Sequence, residues 1–391
     1  MIDSAGTAAR LDSLVGELRA SGAIRSPAVD AAFRAVPRHP FLRSFRFGAC
    51  WYEVRPGELP SDEVLDLVYS NTALITHYGR DGAPTSSSSQ PSLMARMLEL
   101  LQLRPGMRVL EIGAGSGYNA ALIATITAAP VTTIDTGHSA AARAAAAIEQ
   151  VGLTDLVRVV HGDGYLGDPG GGQWDRIIVT CGIAGIPAGW LSQLAPDGLI
   201  TAPIALGGYH PIVVARPEDT GLGGRIMCWA DFMPAAGALR PLELCPHPPT
   251  KPITWTPLAH HPGVVARDDL LAYWDFGTYM AVHDPRTSRA YPLDNSFDPS
   301  AGAIALIDDG AAAWIQMSGD LVTAGPADLT AALTGRLTTL AQDWIANGRP
   351  PTTGWATQFN SSPAPHQALL TPSRWSRTTD ILENGQPRPA H

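Results

Sequence analysis

The run Val109-Leu110-Glu111-Ile112-Gly113-Ala114-Gly115-Ser116-Gly117-Tyr118 sets an acid just ahead of three alternating glycines. A β-branched apolar stretch, a turn without side chains and an alanine-rich helical stretch (Asn119 to Thr127) follow one another. That order lets a ligand approach backbone N–H groups at a helix start. The spacing Gly-x-Gly-x-Gly differs from the Gly-x-Gly-x-x-Gly of dinucleotide sites. An acid before the turn would repel a pyrophosphate and suit a sulfonium or ammonium group. These residues point to S-adenosylmethionine rather than NAD, with S-adenosylhomocysteine as the product.

Further polar residues stand where other strands should end. Asp135 closes Val131–Ile134, where a carboxylate can accept both ribose hydroxyls. Asp163-Gly164 follows Val157–Val160, placed to meet an adenine amino group, and Thr180-Cys181-Gly182 ends Arg176–Thr180. Singly, Asp135 reads equally as a turn residue, Asp163 as a helix cap and the glycines as turn formers. Four such strand ends in order favour a nucleoside-type cofactor.

The elements that must position these residues alternate along the chain. Strands are expected at 108–112, 131–134, 157–160, 176–180 and 199–203, with helical or turn segments at 139–150 and 187–194. Ala8 to Ala35 reads as helical, and a second helix starts at Pro91 with Leu93, Met94, Met97, Leu98 and Leu101 on one face. Residues 51–90 are assigned to no single element. Strands near 211–214 and 225–229 suggest an antiparallel hairpin at the sheet edge. Prolines crowd from Pro241 to Pro262 and mark a boundary. Paired strands at 303–307 and 313–317 follow, then a helix over 329–344 and a polar end, Pro350 to His391, expected to fray or to close over the site. The fold expected is α/β, a doubly wound, mostly parallel sheet of the S-adenosylmethionine-dependent methyltransferase type. Residues 1–240 would form the catalytic domain and 241–391 a smaller α+β extension that recognises a peptide.

The core resembles the protein-L-isoaspartate O-methyltransferase family over residues 10 to 235. The likeness rests on Ala35-Val36-Pro37-Arg38 with Phe41, on Ser89-Gln90-Pro91, on the glycine turn, on His161-Gly162-Asp163-Gly164 and on Trp174–Thr180. It implies that Glu111, Gly113, Asp135, Asp163 and Gly164 hold the cofactor and that Ser89 is the active-site serine. Gly115, Ser116, Gly117 and Thr180 join the cofactor set by position, and Ser87 and Ser88 join Ser89. Chemistry agrees with a serine. A carboxylate acceptor, with a pKa of about 4, is already ionised at neutral pH and needs placement rather than a base. A neutral hydroxyl at a helix start, aided by free N–H groups, would orient it. The alternative for Ser89 is a plain helix cap.

Two features depart from the family pattern. Members commonly carry a threonine two positions before the serine and then a bulky apolar residue, where this chain has Ser87 and Ser88. The residues after Pro241 are also additional. Both features resemble a branch associated with maturation of ribosomal peptides, graspetides and lanthipeptides among them. That resemblance implies methylation of an aspartyl side chain followed by closure to an aspartimide. The alternative is repair of L-isoaspartyl residues in damaged proteins.

Composition narrows the partners. At 391 residues and 45% hydrophobic content, two domains with sizeable cores are expected. A net charge of −9 argues against nucleic acid, and no apolar run suggests a membrane span. Cys50, Cys181, Cys228 and Cys245 are scattered, and no metal site is expected. His260-His261 would point two ways on a strand, which suits chelation poorly. A reduced, cytoplasmic setting and a peptide or protein substrate bearing an Asp or isoAsp carboxylate complete the expectation.

Overall fold

The computed structural model describes residues 4–79, 82–219, 221–244, 259–261, 270–289, 302–308, 310–363, 365–366 and 368–378. Most of the proline-dense boundary, with Cys245, His247, Lys251 and Trp255, lies outside them. The stretch read as one helix is two, α1 (Ser4–Ala20) and α2 (Pro27–Ala35). Gly22 turns left-handed at φ +68°. Ser26 then caps the second helix, its hydroxyl accepting from the Val29 N–H, with Pro27 in the first turn.

The segment left unassigned over 51–90 completes a sheet of its own. Strands β1 (Ser44–Phe47), β2 (Cys50–Glu53), β3 (Leu74–Tyr78) and β4 (Pro84–Ser88) pair antiparallel in the order β2-β1-β3-β4, and α3 (Asp62–Val68) links β2 to β3. Strand β4, Pro-Thr-Ser-Ser-Ser, lacks the apolar alternation of a buried strand, so its sequence hides it. Helix α4 (Pro91–Leu101) follows, burying Met94, Met97, Leu98 and Leu101 as expected.

The central sheet begins with β5 (Val109–Ile112), α5 (Tyr118–Thr127), β6 (Val131–Asp135), α6 (His138–Gln150), β7 (Val157–His161) and β8 (Trp174–Val179). Then come β9 (Ile186–Pro187), α7 (Ala188–Leu191), β10 (Leu194–Pro203), β11 (Ile212–Glu218) and β12 (Gly221–Cys228). The order β7-β6-β5-β8-β10 is parallel throughout, the expected doubly wound arrangement. Alternate residues of β5 serve opposite cores. Val109 packs with α1, α2, α4 and α5, whereas Leu110 and Ile112 belong to the cluster on the other face.

The hairpin β11–β12 forms, but it is not an edge. A third sheet follows: β13 (Ala259–His261), β14 (Thr287–Arg289), β15 (Ile304–Asp308), β16 (Ala311–Ile315) and β17 (Leu321–Ala324), with helix α8 (Leu270–His283) preceding β14. After helix α9 (Ala327–Ala346) the chain returns as β18 (Trp355–Ser361) and β19 (Leu369–Arg377). These pair with β12 and β9, extending the central sheet to ten strands. The polar end expected to fray thus supplies two strands through residue 377. An exposed edge on β12 would leave a row of backbone groups unpaired, and β18 satisfies them. The sheet therefore runs across the 240/241 division. So does its core, where Tyr273, Phe276, Ile304 and Trp344 share one cluster with Ile204, Val213 and Ile226.

Candidate active site

In an open α/β sheet the ligand crevice opens where neighbouring connections diverge, at the carboxyl ends of the strands. Here that point is β5, flanked by β6 and β8. A cleft partly open to solvent lies above it. Ser86, Ser87, Ser88 and Ser89 line one side; Glu111, Gly113, Gly115, Ser116 and Asp135 line the strand ends; Thr180 and Cys181 close a third side.

Two glycines are required by geometry. Gly113 sits at φ +99°, and a Cβ there would collide with the Thr180 hydroxyl. That hydroxyl donates to the Gly113 carbonyl at 2.6 Å, tying the end of β8 to the turn. Gly115 sits at φ +52°, and a Cβ there would lie 3.3 Å from the Ser87 carbonyl oxygen. The turn and the serine strand are thus in near contact.

The acids behave differently from one another. Glu111 has no exposure to water; its oxygens accept from Asn119 Nδ2 at 2.7 Å and from the Thr133 hydroxyl at 2.6 Å. Burial pushes its carboxyl up to about 7 against the pull of those two hydrogen bonds, and Asp135 adds a smaller push upward. Asp135 accepts from the Gly115 N–H at 2.9 Å and the Gly137 N–H at 2.8 Å, so its carboxylate also holds the turn. Asp163 is exposed and accepts from the Tyr165 N–H at 2.9 Å, capping the short turn Gly164–Leu166. Gly117 opens α5 at φ +85°. Gly117, Asp163 and Gly164 do not line the cleft.

The serines separate as well. Ser88 is 2% exposed, and its hydroxyl accepts from Arg38 Nε at 3.1 Å. Ser89 is half-buried in the cleft wall. It is not the helix cap, because Gln90 occupies that position in α4. The expected free N–H groups are not there either. Pro91 has none, Asn71 Oδ1 takes the Ser92 N–H at 2.9 Å, and the Leu93 N–H goes to the Gln90 carbonyl at 3.0 Å.

Several lining residues escaped the sequence reading. Asn119 is the clearest, and its Oδ1 is buried without a hydrogen-bond partner among the described residues. An amide in the first turn of the otherwise apolar α5 was its signal. Phe232, Met233 and Pro234 also line the cleft, delivered by the chain after β12, and carried no local signal. Among the described residues, no group of three His, Cys, Asp or Glu is placed to hold a metal ion, and no helix is long and apolar enough to cross a membrane. Cys50, Cys181 and Cys228 are free thiols.

An orphan buried acceptor, two carboxylates and a turn open to close approach suit a ligand that presents hydroxyls and positive charge. The doubly wound sheet with this site defines an S-adenosylmethionine-dependent methyltransferase. The family model for protein-L-isoaspartate(D-aspartate) O-methyltransferase matches residues 9–237, and the chain belongs to that family. Protein-L-isoaspartate O-methyltransferase 1 of Rhodopseudomonas palustris (strain HaA2) is 37% identical over 202 residues, 52% of this chain and 72% of that protein. The Hyperthermus butylicus enzyme is 34% identical over 235 residues, 57% of this chain and 87% of that protein. A solved structure described as a protein-L-isoaspartate O-methyltransferase matches at a TM-score of 0.54 and 22% identity. It covers 94% of this chain and 99% of that one. That likeness of fold extends into the residues after 241. The chain is an S-adenosylmethionine-dependent protein carboxyl O-methyltransferase.

Proposed function

We propose that the protein methylates the free carboxylate of L-isoaspartyl residues in proteins or peptides. The approach of Ser87 to Gly115 carries this reading, because it brings the serine segment and the cofactor turn into one cleft. S-adenosylmethionine supplies an electrophilic methyl group on a positively charged sulfur. Glu111, Gly113, Gly115, Ser116, Asp135 and Thr180 hold it, Asn119 adds an acceptor, and Gly117 shapes the turn. Asp163 and Gly164, at the end of the neighbouring strand β7, would take the base; the Gly162 N–H donates to the Asp135 carbonyl at 3.0 Å, joining those strand ends. Ser89 orients the acceptor carboxylate so that one oxygen takes the methyl as the sulfur–methyl bond breaks, leaving S-adenosylhomocysteine and a neutral ester. No proton moves, which is why a hydroxyl suffices. Ser88, turned to Arg38, supports the segment instead of touching the acceptor, and Ser87 borders the acceptor.

The test is methyl transfer to an isoaspartyl peptide by the wild type and by Ser89→Ala. Turnover should fall by about 100-fold with S-adenosylhomocysteine affinity within twofold of wild type, since only the acceptor is misplaced. Equal turnover would reduce Ser89 to a bystander. An idle wild type would remove the isoaspartyl reading.

A second reading has one observation in its favour, the small polar Ser87 where the family commonly has threonine. A constrained ribosomal peptide would offer an L-aspartyl carboxylate. Its methyl ester would then be attacked by a backbone amide nitrogen, the amide proton and methoxide leaving together as methanol. A product lighter than its ester by one methanol, formed in preference to any isoaspartyl ester, would decide for it.

A further inference from the structure

The chain after β12 turns back over the sheet to build the Phe232–Pro234 wall of the cleft. It is joined to the end of β8 by two hydrogen bonds. The Gly182 N–H donates to the Met233 carbonyl at 2.8 Å, and the Ala235 N–H donates to the Gly182 carbonyl at 2.8 Å. In the order β6-β5-β8 this wall lies across the glycine turn from Asp135. With the nucleoside end at Asp135, the wall falls on the side left for the acceptor.

Asp231 precedes that wall, and two side chains hold its carboxylate. His210 Nδ1 lies 3.3 Å from Oδ1. Arg289 donates from Nη1 to Oδ2 at 2.7 Å and from Nη2 to Oδ1 at 3.1 Å. The Nε of Arg289 donates to the Gly208 carbonyl at 2.8 Å, and its guanidinium lies 4.4 Å from the centre of the Tyr209 ring. A two-pronged pair of this kind fixes direction as well as distance. Burial would raise the Asp231 carboxyl, yet the hydrogen bonds from His210 and Arg289 hold it below the usual range. His210 is 4% exposed and packs on Gly182 so closely that a Cβ there would collide with the imidazole. One connected set therefore spans both ends of the joint between wall and sheet. Of its members only Arg289, from β14, comes from the residues after 241.

We infer that Arg289 is a positioning residue for methyl transfer, which fixes the Phe232–Pro234 wall through Asp231 and so sets the fit of the acceptor. The inference rests on the carboxyl-methyltransferase reading and gives the added region a part in the reaction. Losing the fork frees Asp231 from one side and lets the wall shift, while the cofactor wall around Asp135 keeps its own bonds.

The experiment uses full-length Arg289→Gln and Arg289→Lys with three readouts: S-adenosylhomocysteine affinity, acceptor kinetics well below the melting temperature, and amide hydrogen exchange at Gly182 and Ala235. In Arg289→Gln, acceptor kcat/KM should fall by about tenfold or more, mostly through KM. Exchange at both amides should quicken by about tenfold, with cofactor-product affinity within twofold. Arg289→Lys, keeping the charge without the fork, should fall between. Unchanged exchange overturns the inference whatever the acceptor, and so does quicker exchange with unchanged acceptor kinetics. A lowered melting temperature with neither effect shows a clamp only, and overturns it too. A wild type idle on isoaspartyl peptides counts against the acceptor class alone, and the acceptor kinetics are then read on an L-aspartyl peptide that the wild type methylates, with the same outcomes.

Discussion

Arg38 Nη2 donates to the Ser89 carbonyl at 2.9 Å, from a side chain with no exposure to water. The same guanidinium serves the carbonyls of Val68, Ser70, Thr72 and Ser88 and the Ser88 hydroxyl. Its partners are neutral oxygens from two separate segments, one after α3 and one at the end of β4. Burial lowers its pKa to about 10, so it stays charged at neutral pH. A buried cation met by carbonyls and one hydroxyl fixes the segment that carries Ser89 into the cleft wall.

Arg38→Met should leave those carbonyls buried and unpartnered. The expected loss is about 3 kcal/mol or more in urea unfolding, because a single buried orphan costs about 1–3 kcal/mol. Lysine cannot span both segments and should recover only part of it. Ser88→Ala should cost about 1–3 kcal/mol for the lost partner of Arg38 Nε while keeping most turnover, the reverse of Ser89→Ala. A Ser88→Ala protein that is stable but inactive would make Ser88 the acceptor's partner.

Asp135→Ala should weaken S-adenosylhomocysteine binding by more than tenfold, about 1.5–3 kcal/mol, measured by calorimetry. Two losses combine there, the ligand's own bonds and the grip on the Gly115 N–H that shapes the turn. Unchanged affinity would move the nucleoside away from this strand end.

Glu111 should make the ligand-free protein lose stability as pH rises. Its folded pKa of about 7 exceeds the ordinary glutamate value of 4.5, so the folded state holds more protons between those values. The Glu111 contribution is fully present below about pH 4.5 and is lost as pH passes through about 7. Thermal unfolding of wild type and Glu111→Gln across that window should show the variant gaining relative stability with pH, by up to about 3 kcal/mol. Parallel curves would mean that the carboxyl ionises in the fold as it does in water.

Removal of residues 241–391 should unfold the remaining chain rather than leave a cofactor-binding domain. It would strip β18 from β12 and take Tyr273, Phe276, Ile304 and Trp344 out of a shared core. Soluble expression and near-ultraviolet circular dichroism of the fragment are the checks. A folded fragment that binds S-adenosylhomocysteine would restore the division at residue 240.

What the sequence determined was local. The strand–turn–helix around Gly113 and the acids at 111 and 135 are set by hydrophobic period and glycine spacing within a few residues, and the structure places them at the ends of β5 and β6 as read. The parallel core followed from the same alternation. Tertiary structure decided matters of register and long-range pairing. That Ser88 is buried against Arg38 while Ser89 stays half-buried in the cleft wall depends on how one residue of β4 turns toward Arg38, 50 positions earlier. That Asn119 Oδ1 has no partner among the described residues depends on Glu111 taking its amide. The return of β18 to β12, and the grip of Arg289 on Asp231 from 58 positions away, join segments whose own residues carry no sign of each other. An unpaired strand edge or a buried charge states what it needs, and only the folded chain shows which distant residue supplies it.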